Sequence, residues 1–342
     1  MSFNYQYPLP TPKEMQQEIP LGEALTTLKQ ERDDTLKACL AGKDERFVII
    51  VGPCSAHDET AILDYVERLA KIQESVSEKL FLVPRIYTNK PRTTGTGYKG
   101  MLHQPDPSAK PNMVEGIRAI RNLHINVMKN SGMTAADEML YPGNYPYLED
   151  LLSYVAIGAR STENQQHRLT ASGFDVPAGF KNPMSGDFQV MLNSVAAAQT
   201  GHIFSYNNWQ VETVGNPYAH TIVRGAFDRW GHHIPNYHFD HLVQLAELYN
   251  ERKLENPATI IDTNHSNSGK RYTEQPRIAM EIIHNRHYSK DVSSLVKGLM
   301  IESFIEAGSQ KPTGTEYGKS ITDPCLGWAD TEALLKTIAE KI

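Results

Sequence analysis

Polar residues that can bind a metal follow several apolar runs of this 342-residue chain. The first run, Phe47-Val-Ile-Ile-Val-Gly-Pro-Cys-Ser, presents Cys54 at its end. Later runs end close to His265 and Glu302, and Asp323 follows in the loop Ser320-Ile-Thr-Asp. A thiolate, an imidazole and two carboxylates make a mixed soft and hard donor set. The sequence therefore predicts one divalent metal ion, which can be manganese, iron, cobalt or zinc.

Basic residues form a second set at the ends of other apolar runs. Arg160, Lys181 and Arg224 each close such a run, and Arg85 and Lys90 follow another. Arginine binds phosphate and carboxylate groups through a planar fork, whereas lysine offers a compact point charge. Fixed cations beside a metal ion indicate metal-assisted chemistry on phosphorylated substrates.

Each of these residues also has a purely structural interpretation. Cys54 alone is compatible with a buried inert thiol, and His265 with a hydrogen-bonded core histidine. The cations can pair with carboxylates such as Glu138 or Asp262 and only stabilise the protein. The position that these residues share, at the ends of successive apolar runs, favours the functional interpretation over the structural one.

The elements that must position these residues alternate regularly from Arg46 onward. Short runs rich in β-branched residues alternate with segments of helical periodicity. The predicted strands are 47–54, 80–88, 134–140, 154–160, 176–181, 221–225, 259–264 and 298–302. The predicted helices are 59–77, 113–129 (closed by Gly132), 148–153, 163–171, 187–199, 239–251, 275–286 and a last one from Thr331.

Eight strand–helix units predict an α/β fold, a parallel (β/α)8 TIM barrel rather than an open sheet. Active sites of such barrels lie at the C-terminal ends of the strands, which is where the polar residues occur. Residues 1–45 are predicted to be an N-terminal arm with an oligomeric or regulatory role, and 46–342 the catalytic barrel. Residues 202–219 do not fit the alternation and are predicted to be an inserted hairpin before strand six.

Composition limits the classes of partner and compartment. The net charge of −6 argues against nucleic acid as the main partner. Three cysteines without paired spacing indicate a reducing environment, and the chain has neither a signal pattern nor an apolar run of membrane-spanning length. We therefore expect a cytoplasmic protein that does not contact membranes. The apolar residues of the arm and the hairpin need partners, which predicts a homodimer or homotetramer.

The loop Lys90-Pro-Arg-Thr-Thr-Gly-Thr-Gly-Tyr-Lys-Gly contains a formal G-x-G-x-x-G match. The proline-containing residues after it cannot open a helix, so a dinucleotide site is not predicted. A loop that carries Arg92 and Thr93 as anion contacts is predicted instead.

Several segments together resemble one enzyme family. They include Val51-Gly-Pro-Cys-Ser-Ala-His-Asp, Lys90-Pro-Arg-Thr-Thr, Ala156-Ile-Gly-Ala-Arg-Ser-Thr-Glu, Gly179-Phe-Lys-Asn, His265-Ser-Asn-Ser and Tyr317-Gly-Lys-Ser-Ile-Thr-Asp. In order and spacing they resemble the type I 3-deoxy-D-arabino-heptulosonate 7-phosphate (DAHP) synthases, from about residue 8 to the end. The resemblance implies a TIM barrel that condenses phosphoenolpyruvate with erythrose 4-phosphate. DAHP and phosphate are the products of this first step of the shikimate pathway to the aromatic amino acids.

The resemblance also implies a role for each candidate residue. Cys54, His265, Glu302 and Asp323 correspond to the metal ligands, with His265 also counted as catalytic. Residues that match the phosphate contacts of phosphoenolpyruvate are Arg160, Lys181 and Arg224; those that match its carboxylate contacts are Arg85, Lys90 and Lys181. Arg92 and Thr93 match the erythrose phosphate site, and Glu138 matches a carboxylate near the reacting carbon. Lys90 or a metal-bound water is the implied proton donor.

Some segments depart from the family pattern, and other functions stay open. The loop at Gly95-Thr96 is one residue longer than usual, Pro183-Met184-Ser185 replaces a familiar sequence, and Thr263-Asn264 precedes the histidine. Regulated members bind an aromatic amino acid as feedback inhibitor, and whether this chain does so is open. The alternatives are a Schiff-base aldolase that uses Lys181 as its amine and a catalytically idle regulatory barrel.

Overall fold

The apolar runs form one parallel sheet that curves into a barrel, in a computed structural model that describes residues 2–91 and 97–342. Arg92 and Thr93 lie outside the described residues. The barrel strands, in chain order, are β1 (Phe47–Gly52), β2 (Leu80–Pro84), β3 (Ala135–Glu138), β4 (Leu152–Ile157), β5 (Ala178–Lys181), β6 (Ala219–Val223), β7 (Thr259–Asp262) and β8 (Val296–Glu302). Their order in the sheet is β2-β1-β8-β7-β6-β5-β4-β3. A bridge between Arg85 and Ala136 joins the two edge strands, so the predicted (β/α)8 barrel is confirmed.

Helices surround this barrel. In chain order they are α1 (Pro12–Glu18), α2 (Glu23–Leu40), α3 (Glu59–Val76), α4 (Met113–Ser131), α5 (Gln165–Ala171), α6 (Phe188–Gln199), α7 (Phe239–Arg252), α8 (Gln275–Tyr288), α9 (Lys290–Leu295) and α10 (Trp328–Lys341). Side-chain caps define where several helices begin. Asp58 accepts from the Ala61 amide at the start of α3, and Asn112 accepts from the Glu115 amide at the start of α4. Gly132 ends α4 at a φ of 65°, so the predicted left-handed glycine cap is confirmed.

Apolar side chains fill the interior of the barrel and its N-terminal end. Inward residues such as Val48, Ile50 and Ile260 form one buried cluster, together with Leu36 and Leu40 of α2. Helix α2 therefore covers the N-terminal end of the barrel, and the polar C-terminal end faces the other way. No helix within the described residues is long and apolar enough to cross a membrane.

Among the residues that the structure describes, two short antiparallel strand pairs and one parallel pair lie outside the barrel sheet. The predicted inserted hairpin is present as strands Ile203–Tyr206 and Trp209–Glu212, joined by Asn207 and Asn208 at positive φ. Such a two-residue turn suits asparagine because its short side chain tolerates the left-handed region. The sequence did not predict the pairs Ala226–Phe227 with His233–Ile234 and Glu306–Ser309 with Lys319–Ser320.

The helix predicted at 148–153 is wrong. The chain forms a 3₁₀ helix at Pro142–Tyr147, and β4 already begins at Leu152. Pro146 lies inside this segment and has no amide that could donate to the Pro142 carbonyl, so a regular α-helix is disfavoured there. The buried run from Leu152 then extends β4 two residues earlier than predicted.

Candidate active site

The C-terminal ends of the strands surround a polar cavity of about 360 Å³. Predicted site residues that line it are Cys54, Arg85, Lys90, Glu138, Arg160, Lys181, Arg224, His265 and Asp323. Parallel strands of a barrel end on the same face, and this is why residues far apart in sequence meet here. The structure therefore brings together every predicted site residue that it describes, with Glu302 directly behind the cavity wall.

The predicted metal donors meet at one side of this cavity. Donor atoms of Cys54, Glu302 and Asp323 all lie within 4.8 Å of one another. His265 joins them from the end of β7, with its Nε2 3.9 Å from Oε1 of Glu302. Cys54 and Glu302 are almost fully buried, and Asp323 is partly exposed toward the cavity. The four side chains thus converge from the ends of β1, β7 and β8 and from the last loop.

The donor set suits a transition-metal ion. Within the described residues, Oε1 of buried Glu302 has no hydrogen-bond donor in suitable geometry, although Nη2 of Arg85 lies 3.0 Å away. Asn264 donates to the other oxygen, Oε2, at 2.5 Å. Thiolate, imidazole and carboxylate are common ligands of zinc, iron, cobalt and manganese. A buried acceptor oriented toward a thiol and a second carboxylate is what such an ion would bind.

The acids and the thiol of this cluster have opposite pKa shifts. Burial and the nearby Glu302 raise the pKa of the Cys54 thiol. Burial also opposes ionisation of Glu302, but His265 and Arg85 outweigh it and lower the pKa of that carboxyl. Likewise, the pKa of Asp323 is lowered despite burial, because His265, Lys270 and Lys90 lie nearby. The carboxylates are therefore ready to bind a cation, and a bound cation would favour the thiolate.

His265 is held in an unusual backbone conformation. Its φ is 47°, in the left-handed region that non-glycine residues adopt at some cost. The Lys270 amide donates to the His265 carbonyl at 2.8 Å and closes the loop. On the far side of the ring, Nδ1 lies 2.8 Å from Oδ2 of Asp262. The two atoms are outside hydrogen-bond geometry, but a carboxylate this close behind the imidazole favours the ring orientation that directs Nε2 toward the predicted metal donors.

Asp262 is the central anion behind the cavity. It is fully buried, and the same Oδ2 lies 3.0 Å from Nζ of Lys181. Burial opposes its ionisation, yet His265 and Lys181 hold the pKa of this carboxyl well below its usual range. The sequence analysis considered Asp262 only as a pairing partner for a cation. It in fact joins a predicted metal ligand to a predicted substrate contact.

Arg85 and Lys90 are bound to the metal side of the cavity. Arg85 is buried, lies over the ring of Tyr87 at 3.7 Å and donates to the Pro53 carbonyl. Burial tends to lower the pKa of Arg85, but Glu302 and other neighbours raise it overall. Nζ of Lys90 lies 3.4 Å from Sγ of Cys54. Both cations therefore contact predicted metal donors directly.

Arg160 and Arg224 are the cations that are open to a ligand. Within the described ranges, neither has a carboxylate oxygen within 4 Å of its guanidinium nitrogens. Arg224 instead donates to Oγ of Ser266 at 3.2 Å, and burial lowers the pKa of its guanidinium. An anion that reached both arginines would compensate positive charge that the protein leaves without a counterion.

Glu138 faces the cavity and lies beside Gly158, where a larger residue would displace its carboxylate. A Cβ atom at Gly158 would lie 2.3 Å from Oε1 of Glu138, closer than van der Waals contact permits. The glycine at the end of β4 therefore creates the space that this carboxylate occupies at the end of β3.

The sequence analysis missed several residues of the cavity. Lys270 lines it and pairs with Asp323 at 3.2 Å, and Met184 and Phe227 form an apolar wall. Beside the cavity, His233 places Nδ1 3.1 Å from Oγ of Ser266. Met184 and Lys270 follow the C-terminal ends of β5 and β7, and this position in the sequence could have indicated that they line the cavity. Phe227 and His233 belong to a short pair that no periodicity indicated.

Comparisons with known proteins agree on one family. The family model described as the DAHP synthetase I family matches residues 23–336. The chain is 34% identical to the Trp-sensitive phospho-2-dehydro-3-deoxyheptonate aldolase of Escherichia coli strain K12, over 98% of this chain and 95% of that protein. It is 35% identical to the Tyr-sensitive enzyme of Salmonella typhimurium, over 96% of this chain and 92% of the other. A phospho-2-dehydro-3-deoxyheptonate aldolase structure from Francisella tularensis matches with a TM-score of 0.91 at 31% identity, covering 100% of this chain and 98% of that one.

Proposed function

This chain belongs to the DAHP synthetase I family, and we propose that it carries out the family reaction with a divalent metal held by Cys54, His265, Glu302 and Asp323. The reaction condenses phosphoenolpyruvate with erythrose 4-phosphate to give DAHP and phosphate, in the shikimate pathway of aromatic biosynthesis. The single observation that supports metal use is the convergence of three donor atoms within 4.8 Å, with His265 alongside.

The cations support binding of a phosphorylated enol. Arg160 and Arg224 lack counterions within the described residues and are proposed to hold the phosphate of phosphoenolpyruvate, together with Lys181. Arg85 and Lys90, next to the metal donors, are proposed to hold its carboxylate. Arg92 and Thr93 are proposed for the phosphate of erythrose 4-phosphate on the strength of their sequence motif alone. Two anions fixed in this way bring the enol carbon to the aldehyde carbon, and orientation contributes much of the rate.

We assign the steps of the reaction to a bound metal ion and to residues of the cavity. A bound metal ion supplies Lewis acidity toward the aldehyde oxygen. The C3 carbon of phosphoenolpyruvate forms a bond to the aldehyde carbon, water adds at C2, and phosphate leaves by cleavage of the C2–O bond. Lys90 is proposed to give a proton to the new alkoxide, because its ammonium lies beside the metal donors. Glu138 is proposed to accept a proton from the attacking water across the cavity.

The Schiff-base alternative is weaker. Nζ of Lys181 is buried and lies 3.0 Å from the carboxylate of Asp262, so it is held in an ion pair rather than presented to a substrate carbonyl. Borohydride added with substrate should therefore leave activity intact and form no covalent adduct. The idle-barrel alternative predicts instead that purified protein neither retains metal nor consumes phosphoenolpyruvate.

Regulation and assembly are proposed from the relatives and the exposed apolar residues. The relatives are named Trp-sensitive and Tyr-sensitive, and we propose that an aromatic amino acid inhibits this chain as well. Phe3, Tyr5 and Trp209 are more than 70% exposed, and we propose that a second copy covers them in a homodimer or homotetramer. Light scattering during size-exclusion chromatography tests the assembly, and inhibition curves with each aromatic amino acid test the regulation. We also propose a cytoplasmic location, since all three cysteines are free.

The experiment that tests the function follows phosphoenolpyruvate absorbance with and without erythrose 4-phosphate. The assay is repeated after EDTA treatment and after addition of manganese. We expect loss of absorbance only with the sugar phosphate, its disappearance after EDTA and its return with manganese. Full activity after removal of all detectable metal would contradict the metal assignment while leaving the condensation itself established.

A further inference from the structure

The barrel is weakest where β2 meets β3. Within the described residues, every other pair of neighbouring strands shares at least three paired residues, whereas β2 and β3 share the single bridge between Arg85 and Ala136. One backbone hydrogen bond there joins the Ile86 amide to the Ala136 carbonyl at 2.9 Å. In a parallel ladder the next amide, that of Thr88, would reach the carbonyl of Glu138. That carbonyl instead accepts from Leu140.

A buried carboxylate takes the place of the missing ladder bond. Oδ1 of Asp137 accepts from the Thr88 amide at 2.9 Å, and Oδ2 accepts from the Thr88 hydroxyl. The same Oδ1 accepts from the Glu138 amide at 2.6 Å. Asp137 is 2% exposed, and its side chain points away from the cavity, toward helix α4. It thus links the end of β2 to the end of β3 through one group.

An anion at this position needs compensation. Burial of a carboxylate is costly unless donors surround it, and Asp137 has three. On the helix side, Nε2 of His124 lies 3.6 Å from Oδ2 and is itself buried. In the part of the chain that the structure describes, His124 is the basic side chain within 4 Å of Asp137.

The two segments that Asp137 joins carry two proposed active-site groups. Thr88 lies two residues before Lys90, whose Nζ contacts Sγ of Cys54. Glu138 follows Asp137 directly and lines the cavity. A shift of the β2 end relative to β3 would move the ammonium of Lys90 relative to the carboxylate of Glu138. Misplacement by about 1 Å can cost on the order of 100-fold in rate.

We propose that Asp137 is a positioning residue for the condensation: it holds the β2 and β3 ends together and so sets the distance between Lys90 and Glu138. The proposal rests on the proposed roles of those two residues. It does not involve contact between Asp137 and either substrate.

The test compares Asp137→Leu with Asp137→Asn. The leucine removes every acceptor, and we expect kcat to fall on the order of tenfold or more. The asparagine side chain keeps one oxygen, which can accept from the amides of Thr88 and Glu138. The Thr88 hydroxyl can rotate and accept from the NH₂ group of the asparagine. We therefore expect kcat within about threefold of the unmodified enzyme. Equal kcat in Asp137→Leu and the unmodified enzyme would overturn the proposal.

A matched control separates positioning from loss of stability. Asp33 is also buried, accepts from the hydroxyl of Ser153 and pairs with Lys29 at 2.5 Å, but it lies on α2 below the barrel. We expect Asp33→Leu to lower the unfolding midpoint without changing kcat. If Asp33→Leu and Asp137→Leu lowered kcat alike, the effect of Asp137 would be purely structural.

A double-mutant cycle with Lys90→Ala tests the route of the effect. If Asp137 acts through Lys90, the factor by which Asp137→Leu lowers kcat should shrink markedly in the Lys90→Ala background. The same factor in both backgrounds would refute action through Lys90. Full activity of Lys90→Ala alone would instead show that the proposed role of Lys90 is wrong, so the two failures can be told apart.

Discussion

Asp262 offers the sharpest test of how the site is organised, through Asp262→Asn. The substitution keeps the shape but removes the charge that lies 2.8 Å from Nδ1 of His265 and 3.0 Å from Nζ of Lys181. Loss of one partner from a buried ion pair costs about 3–5 kcal/mol of stability. Loss of the carboxylate behind a metal-binding histidine lowers metal affinity about 10–100-fold. That loss corresponds to roughly 1.4–2.7 kcal/mol of binding free energy.

The assay is calorimetric titration of the metal-stripped protein with manganese, together with urea unfolding in EDTA. We expect weaker manganese binding, lower stability and a raised KM for phosphoenolpyruvate, because Lys181 loses the partner that holds it. Asp33→Asn is the control, since it neutralises a buried aspartate that also pairs with a lysine. Manganese affinity unchanged within about twofold, when about 10–100-fold is expected, would refute the reasoning that Asp262 orients His265.

Three further predictions concern other parts of the barrel. Cys54→Ala should abolish metal retention and turnover while the circular dichroism spectrum stays unchanged, and undiminished turnover would contradict the assignment. Gly158→Ala should lower kcat with little change in the unfolding midpoint, because the new methyl group would displace Glu138. The matched control is Gly143→Ala, whose Cβ would lie 3.4 Å from Oδ1 of Asn207, and it should leave kcat unchanged. His220 is buried against the Tyr154 hydroxyl at 2.8 Å, and burial lowers its pKa from 6.5 to about 4. Below pH 6.5 the unfolded chain therefore binds a proton at His220, whereas the folded chain binds it only below about pH 4. The free energy of unfolding should fall by about 3 kcal/mol as the pH decreases from 6.5 to 4. Urea unfolding at pH 7 and pH 4 measures this fall, and the fall should be smaller in His220→Gln.

The sequence by itself determined the barrel and indicated that the candidate site residues lie on one rim of it. Apolar runs such as 47–52 are buried on both faces, and their alternation with amphipathic helices is compatible with few folds. Once the strands are parallel and close on themselves, their C-terminal residues must share one rim. Cys54, Glu302 and Asp323 were therefore predictable as neighbours without knowledge of any contact between them.

Tertiary structure alone decided which of these residues pair. Lys181 and Asp262 are 81 residues apart in sequence, and Asn264 and Glu302 are 38 apart. No periodicity encodes such pairs, because they depend on the register of neighbouring strands and on the rotamers of the side chains. The same holds for Asp137, whose proposed role depends on the ladder between β2 and β3 ending at the bridge between Arg85 and Ala136.

The elements that the sequence predicted wrongly have the same physical origin. Helical periodicity at 148–153 is a local signal, and burial of Leu152 in the sheet overrode it. Helix α2 lies within the predicted N-terminal arm, but its position at the N-terminal end of the barrel follows from its packing on Val48 and Ile260. Local patterns thus specify which residues face a core or a rim, whereas long-range packing specifies which partner each residue contacts.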